Sequence, residues 1–206
     1  MIKTKKVASL IVGGLSKPSK MPGKSIGYPI EFCHTGSKLR KVPGSVCEGC
    51  YAGKGCYTMY KAVGIAQHRR YEALNHPQWV EAMVKLLQGE TFFRWHDSGD
   101  LKDLEHLEKI VKVCELTPDC NHWLPTKEKS LVSKFIRKFS NFPDNLSVRV
   151  SMPMVDMAPI GAYNTSTVHT KNAYGYECPA YQQGGECRDC RACWNKSIPN
   201  VSYPQH

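Results

Sequence analysis

Ten cysteines stand in this chain of 206 residues, and eight of them fall into two clusters, one near each end. The amino-terminal cluster is Cys33, Cys47, Cys50 and Cys56, in a turn-rich loop (33–56) that contains CEGCYA. The carboxy-terminal cluster is Cys178-Pro179 followed by Cys187-x2-Cys190-x2-Cys193, in the segment 178–194. Thiols spaced two residues apart converge on one metal centre more readily than they form separate bridges. A C-x2-C-x2-C run with a remote Cys-Pro has the spacing by which bacterial ferredoxins hold iron–sulfur clusters. One or two 4Fe-4S clusters are therefore expected. Zinc, which favours two Cys-x2-Cys pairs, is the alternative for the same thiols. The amino-terminal cysteines make either a four-thiolate site or a three-thiolate site with one iron open, and His34 is a weaker candidate ligand. Cys114, on the apolar face of an expected helix, and Cys120, in a loop, read as small buried hydrophobes.

A second group of residues with chemistry is HDSGD, at 96–100. It follows the apolar run TFFRW, which reads as a strand, and ligand sites in parallel sheets gather at the carboxyl ends of strands. Two uses of His96, Asp97, Ser98 and Asp100 follow. In one, the motif holds a ligand that sits on an open cluster iron. In the other, the iron polarises a carbonyl while His96 or Asp97 moves protons, giving hydrolysis of esters or lactones, with Ser98 a conceivable nucleophile. The plain structural reading is a turn in which Asp100 caps the next helix. Lys127, Glu128 and Ser151 follow later strands and line the same mouth, or serve as helix-start and solvent-facing residues.

The elements that must position these groups alternate. Val7–Leu15 reads as a first strand. Helical patterns cover about 57–74 and 77–88, the second with Val80, Met83, Val84 and Leu87 at helical spacing. Strand TFFRW leads to a helix over about 101–116, then a short strand HWLPT, a helix over 130–139, and a strand LSVRVSM at 146–152. Strand and helix in alternation are the signature of an α/β protein with parallel strands. After Met152 the pattern stops, and a loop rich in Met, Pro and Gly leads to the last cysteines. The expectation is a single α/β domain over 1–206, with a strand–helix core at 57–152 and cysteine-rich loops at both ends.

Composition narrows the classes. No run of about 18 apolar residues exists, so a transmembrane helix is not expected. The basic amino terminus has only a short apolar run broken by Gly13 and Gly14, unlike a secretory leader. The cysteines are grouped rather than spread, which argues against a secreted disulfide framework. A formal charge of +10 suits a solvated basic surface or an anionic partner. Cluster thiolates offset part of that charge, and no arginine-rich tract or aromatic ladder appears, so nucleic acid is the weaker partner reading.

The order of motifs adds a resemblance. CEGCYA in a glycine-rich loop, WHDSGD, LPTKE and RVSM at strand ends, and a final CP…C-x2-C-x2-CW together resemble the phage gene product eighty-eight proteins, a group itself similar to a shortened radical-SAM barrel. The motifs run from about Pro22 to Trp194. The resemblance implies a shortened or partial (β/α) barrel. It implies a 4Fe-4S cluster on Cys47 and Cys50, with Cys33 or Cys56 as third ligand, and S-adenosylmethionine on the open iron. Ser98-Gly99-Asp100 stands where such enzymes hold the methionine amine. The C-x3-C-x2-C spacing of radical-SAM enzymes is absent. The resemblance further implies a phage protein in the cytoplasm of its host. The functional expectation is an iron–sulfur enzyme acting on a small molecule, by SAM-type chemistry or as a hydrolase. The alternatives are a non-catalytic redox or structural cluster protein and a zinc-stabilised nucleic-acid binder.

Overall fold

The computed structural model describes residues 2–205, with Cys56 described through its backbone alone. Seven strands form one sheet: β1 (Lys24–Ile26), β2 (Phe92–Trp95), β3 (Asn121–Thr126), β4 (Leu146–Val155), β5 (Thr165–His169), β6 (Tyr176–Glu177) and β7 (Asn200–Pro204). Their order is β1-β2-β3-β4-β5-β7-β6, and every pair is parallel. The sheet does not close, so the architecture is a partial (β/α) barrel with β1 and β6 at its edges.

Alternation along the strands divides the sheet into two faces. Phe93 and Trp95 of β2, Leu124 of β3, and Leu146, Val148, Val150 and Met152 of β4 share one core with the helices. Those helices are α1 (Lys5–Val12), α4 (Lys61–Ala73), α5 (Trp79–Leu87), α6 (Leu104–Glu115) and α7 (Lys129–Phe139); the short α2 (His34–Leu39) and α3 (Cys56–Met59) lie in the first cysteine loop. The opposite, inner face carries Phe92, Trp123, Val201 and Tyr203 and packs on Ala192, Cys193 and Trp194 of the carboxy-terminal segment. The last cysteine motif thus covers the inside of the partial barrel. Helix α6 buries Leu107, Ile110, Val111 and Cys114, with Leu104 partly buried against the same core.

Four expectations need correction. Val7–Leu15 is not a strand: α1 begins at an N-cap Thr4, whose Oγ1 accepts from the Val7 amide at 3.2 Å, and ends at Gly13 in the left-handed region (φ 82°). Ala8 and Val12 are buried on its inner side, so a short apolar run with caps at both ends became a helix. The helix expected over 57–74 is broken at Tyr60 into α3 and α4. Asp100 does not cap α6. That role belongs to Asp103, whose Oδ1 accepts from the His106 amide at 2.8 Å, and the helix starts at Leu104 rather than at residue 101. Finally, the chain beyond Met152 is not only loop. It extends β4 and supplies β5, β6 and β7, the last of them beyond the cysteines.

His96, His106 and His122 are buried on the helix side of the sheet. His122 stacks on Trp95 with ring centroids 5.9 Å apart, and its Nε2 is 2.9 Å from Thr117 Oγ1. Burial lowers its pKa from 6.5 to about 4, so it is neutral in the fold at pH 7. The unfolded chain binds a proton below pH 6.5 that the fold resists, so stability rises with pH through this window. Acidification from pH 6.5 to 4 is expected to cost up to about 3 kcal/mol through this residue. Burial of His96 and His106 acts in the same direction. Urea unfolding at pH 7 and pH 4.5 checks this: His122→Phe should flatten the acid limb, and an unchanged limb would show that the imidazole titrates freely.

Candidate functional site

After β1 the chain runs over the carboxyl ends of the neighbouring strands. Gly27 passes so close to the motif after β2 that a Cβ there would lie 1.8 Å from Asp97 Oδ1 and 2.4 Å from Ser98 Oγ. Only glycine fits that crossing. A 3-10 turn (Ile30–Phe32) then delivers Cys33 at the start of α2. The loop is tied down at three strand ends. Thr35 donates its amide and hydroxyl to Glu128 (2.8 and 2.9 Å), just past β3. Val46 donates to the Pro153 carbonyl, and Val155 donates to the Gly44 carbonyl, both at the end of β4. Tyr51 donates its hydroxyl to the Asp97 carbonyl at 2.5 Å, past β2.

These ties bring three thiols together. A Cβ placed on Gly36 would be 3.7 Å from both Cys33 Sγ and Cys47 Sγ, so both sulfurs lie within reach of one point beside α2. Cys50 acts electrostatically on both of them. Burial pushes the Cys33 thiol up to about 12, with the fields of Asp100, Cys50 and Cys47 adding to the rise. Burial also raises Cys47, opposed by the Lys127 ammonium. Lys127 is itself pulled down by burial and pushed up by Cys47, Asp100, Cys50 and Cys33. Three thiols, a carboxylate and an ammonium therefore share one neighbourhood at the carboxyl ends of β2 and β3. Lys127 Nζ donates to the Met152 carbonyl (3.1 Å), which reaches the end of β4. The Cys56 side chain lies outside the described residues. His34 is exposed, with Nε2 3.0 Å from the Lys102 carbonyl oxygen.

The HDSGD residues divide by direction. His96 has φ 55° and turns its ring into the core, 5.6 Å from the Tyr28 ring and 5.5 Å from His106. Burial lowers its pKa to about 4. Asp97 Oδ2 accepts from Ser25 Oγ at 2.5 Å. Ser98 Oγ accepts from Gln67 Nε2 (2.7 Å) and donates to the Tyr28 carbonyl (3.0 Å). Gly99 has φ 73°, and a Cβ there would meet Tyr28 at 2.8 Å. These residues lace β1 to β2. Asp100 laces β2 to β3: it accepts from Thr126 Oγ1 (2.6 Å) and from the amides of Lys127 and Leu101 (both 2.8 Å). Burial raises its pKa against those hydrogen bonds. Of the motif, Asp100 is the side chain whose charge acts on Cys33, Cys47 and Lys127. Ser151 instead pairs with Ser166 at 3.0 Å, on the inner face.

The carboxy-terminal thiols are also gathered. Cys178 is set by its amide on the Ser202 carbonyl beside β7 (2.8 Å), and Cys187 by its amide on the Lys20 carbonyl (2.8 Å). Cys193 Sγ lies 3.1 Å from the Tyr203 hydroxyl, and Cys190 Sγ 3.4 Å from that of Tyr176. Cys178 is within electrostatic reach of Cys187, Cys190 and Cys193. Burial raises Cys178 and Cys187 and pushes Cys193 up to about 12. Arg149, fully buried on the inner side of β4, donates to the carbonyls of Ala192, Cys193, Asn195, Ile198 and Thr165. A charged residue in the middle of the apolar strand LSVRVSM was the available signal for this clasp. Tyr51, Tyr176 and Tyr203 carry no such signal in the sequence.

The nine described cysteine side chains are all unpaired, with Cys114 and Cys120 buried in the helix-side core. Among the described residues, no group of three or more His, Cys, Asp or Glu is disposed to hold a single metal ion. Zinc needs its sulfurs about 2.3 Å from one point. Thiolates on a cubane bind separate irons, so their sulfurs stand further apart than around one ion. Thiols that share a neighbourhood without converging on a point fit the second donor set better. Among the described residues no helix is long and apolar enough to cross a membrane.

The family model for Gene product 88 matches residues 3–196, and the chain belongs to that family of phage proteins. Neither a curated protein nor a solved structure is detectably similar to it.

Proposed function

We propose that this member of the Gene product 88 family is an iron–sulfur enzyme. On this reading Cys33, Cys47 and Cys50 hold a 4Fe-4S cluster with one iron open, and Cys178, Cys187, Cys190 and Cys193 hold a second, fully thiolate-ligated cluster. The observation that carries it is the gathering of three thiols beside Asp100 and Lys127 at the carboxyl ends of parallel strands. When bound, an open-iron cluster supplies a redox-active coordination site for a small ligand. The chain's own part is recognition. Asp100 and Lys127 carry opposite charges next to the thiols, the complement of an amino-acid head group. Asp100 would take the ammonium, since a carboxylate with three donors keeps acceptor capacity. Lys127 would take the carboxylate. S-adenosylmethionine is the ligand this favours, with a small molecule as its co-substrate. The setting we infer is the reducing host cytoplasm, where unpaired cysteines persist.

Hydrolysis draws less support from the same atoms. His96 faces the core, Asp97 is held by Ser25, and Ser98 Oγ already has a donor and an acceptor partner. The test is spectroscopic. Anaerobically iron-loaded protein should change its electron paramagnetic resonance signal when SAM is added, and should not respond to activated esters or lactones. Asp100→Asn should keep its iron and lose the SAM response. An iron-loaded protein whose signal SAM leaves untouched has no open iron of this kind.

A further inference from the structure

Arg94 projects from the inner face of β2, between the two cysteine segments. On one side its Nη2 donates to the Tyr51 hydroxyl at 3.1 Å, and Tyr51 directly follows Cys50. On the other side its guanidinium lies 4.6 Å from the centre of the Trp123 ring, and Trp123 shares with Cys193 the inner-face cluster against which Cys178 and Cys190 pack. Its charge acts on Tyr203, the hydrogen-bond partner of Cys193. It also favours the thiolates of Cys187 and Cys193. The Nε of Arg94 is out of contact with solvent and has no hydrogen-bond partner. Among the described residues no carboxylate forms an ion pair with it. Asp97 supplies a partial counter-charge, since its field reaches the guanidinium, but its carboxylate hydrogen-bonds Ser25 and makes no ion pair with Arg94. A partly buried cation without an ionic partner loses hydration and needs a counter-charge. Neutral thiols do not supply one, whereas thiolates bound to iron do.

We propose that Arg94 is the shared counter-charge of the two cysteine sites, a positioning residue whose guanidinium favours the more negative, reduced form of both clusters. This rests on the iron–sulfur reading above. Reduction adds one negative charge to a cluster, so removing a nearby cation weakens the reduced form. Full-length protein, loaded anaerobically with iron and sulfide, is titrated potentiometrically as the parent, Arg94→Gln and Arg94→Lys. Arg94→Gln should weaken the reduced form of each cluster about tenfold, a shift of about 59 mV to lower potential for one electron. Arg94→Lys keeps the charge and should restore most of it, and iron and sulfide contents should be equal in all three. Unmoved potentials at full iron content overturn the proposal, and so does a shift confined to one cluster. If Arg94→Gln does not fold, Tyr51→Phe serves. It frees the guanidinium from the amino-terminal side and should lower the potential of that cluster; no shift there also overturns the proposal. A parent protein that takes up no iron defeats the iron–sulfur reading itself, and this inference with it.

Discussion

Cys47→Ala and Cys50→Ala are each expected to strip the amino-terminal cluster and leave the other in place. In a chain carrying two 4Fe-4S clusters, about eight irons fall to about four, with acid-labile sulfide falling in step. Cys190→Ala should remove the other half. The physical basis is that each thiolate is a ligand whose loss removes binding free energy that is also folding free energy. A Cβ on Gly36 would lie 3.7 Å from the sulfurs of both Cys33 and Cys47, so the loss of either removes one of the thiols gathered beside α2. The control is Cys114→Ala. That thiol is fully buried in α6, away from both segments, and its loss should cost about 1 kcal/mol of packing and no iron. Iron and sulfide assays on anaerobically purified variants decide the matter. Stoichiometric zinc in a colourless parent protein, or equal iron loss from Cys114→Ala, would reject the assignment.

Arg149→Leu should be the most damaging substitution away from the thiols. Five carbonyl oxygens of the inner face and the carboxy-terminal segment take hydrogen bonds from this one guanidinium. Leucine leaves them without those donors, and each buried polar group left unpaired costs about 1–3 kcal/mol. A total of at least about 3 kcal/mol follows even if water reaches several of them. Arg149→Lys should rescue little, because an ammonium has three donors on a point and cannot spread over five acceptors. Urea midpoints measure the loss. Amide exchange should rise first at 192–198, and the carboxy-terminal cluster should be lost before the amino-terminal one. A change under about 1 kcal/mol would mean that the segment is held by Trp194, wedged between Phe92 and Trp123, rather than by the arginine.

The division of information follows from range. Strands β2, β3 and β4 and helices α5 to α7 were readable because each buries a regular apolar face against the next, and that face leaves a period in the sequence. The last three strands leave none. On the face that elsewhere meets helices, β5 and β7 present Thr165, Thr167, His169, Asn200 and Ser202. These satisfy one another by hydrogen bonds: Thr165 to Asn200, Asn200 to Thr167, Thr167 to Ser202, and Ser202 with His169. A core face built from polar pairs looks like loop until its partners are known. Likewise β7 enters the sheet between β5 and β6, a pairing no local pattern announces.

For the candidate site, cysteine spacing alone grouped the thiols into two sets, because ligand geometry is written into short intervals. The apolar run TFFRW marked the strand end that bears HDSGD. Tertiary structure decided the rest. The five residues HDSGD read as one polar motif, yet a positive φ at His96 sends its ring into the core, while Asp97 and Ser98 are spent lacing β1 to β2. Of the motif, Asp100 alone brings its charge to Cys33 and Cys47, in company with Lys127 just past the next strand. Arg94 and Arg149 gained their meaning only when the carboxy-terminal segment folded back over the inner face. Which side chains are free for a ligand depends on which hydrogen bonds the fold has already used, and that accounting closes only in three dimensions.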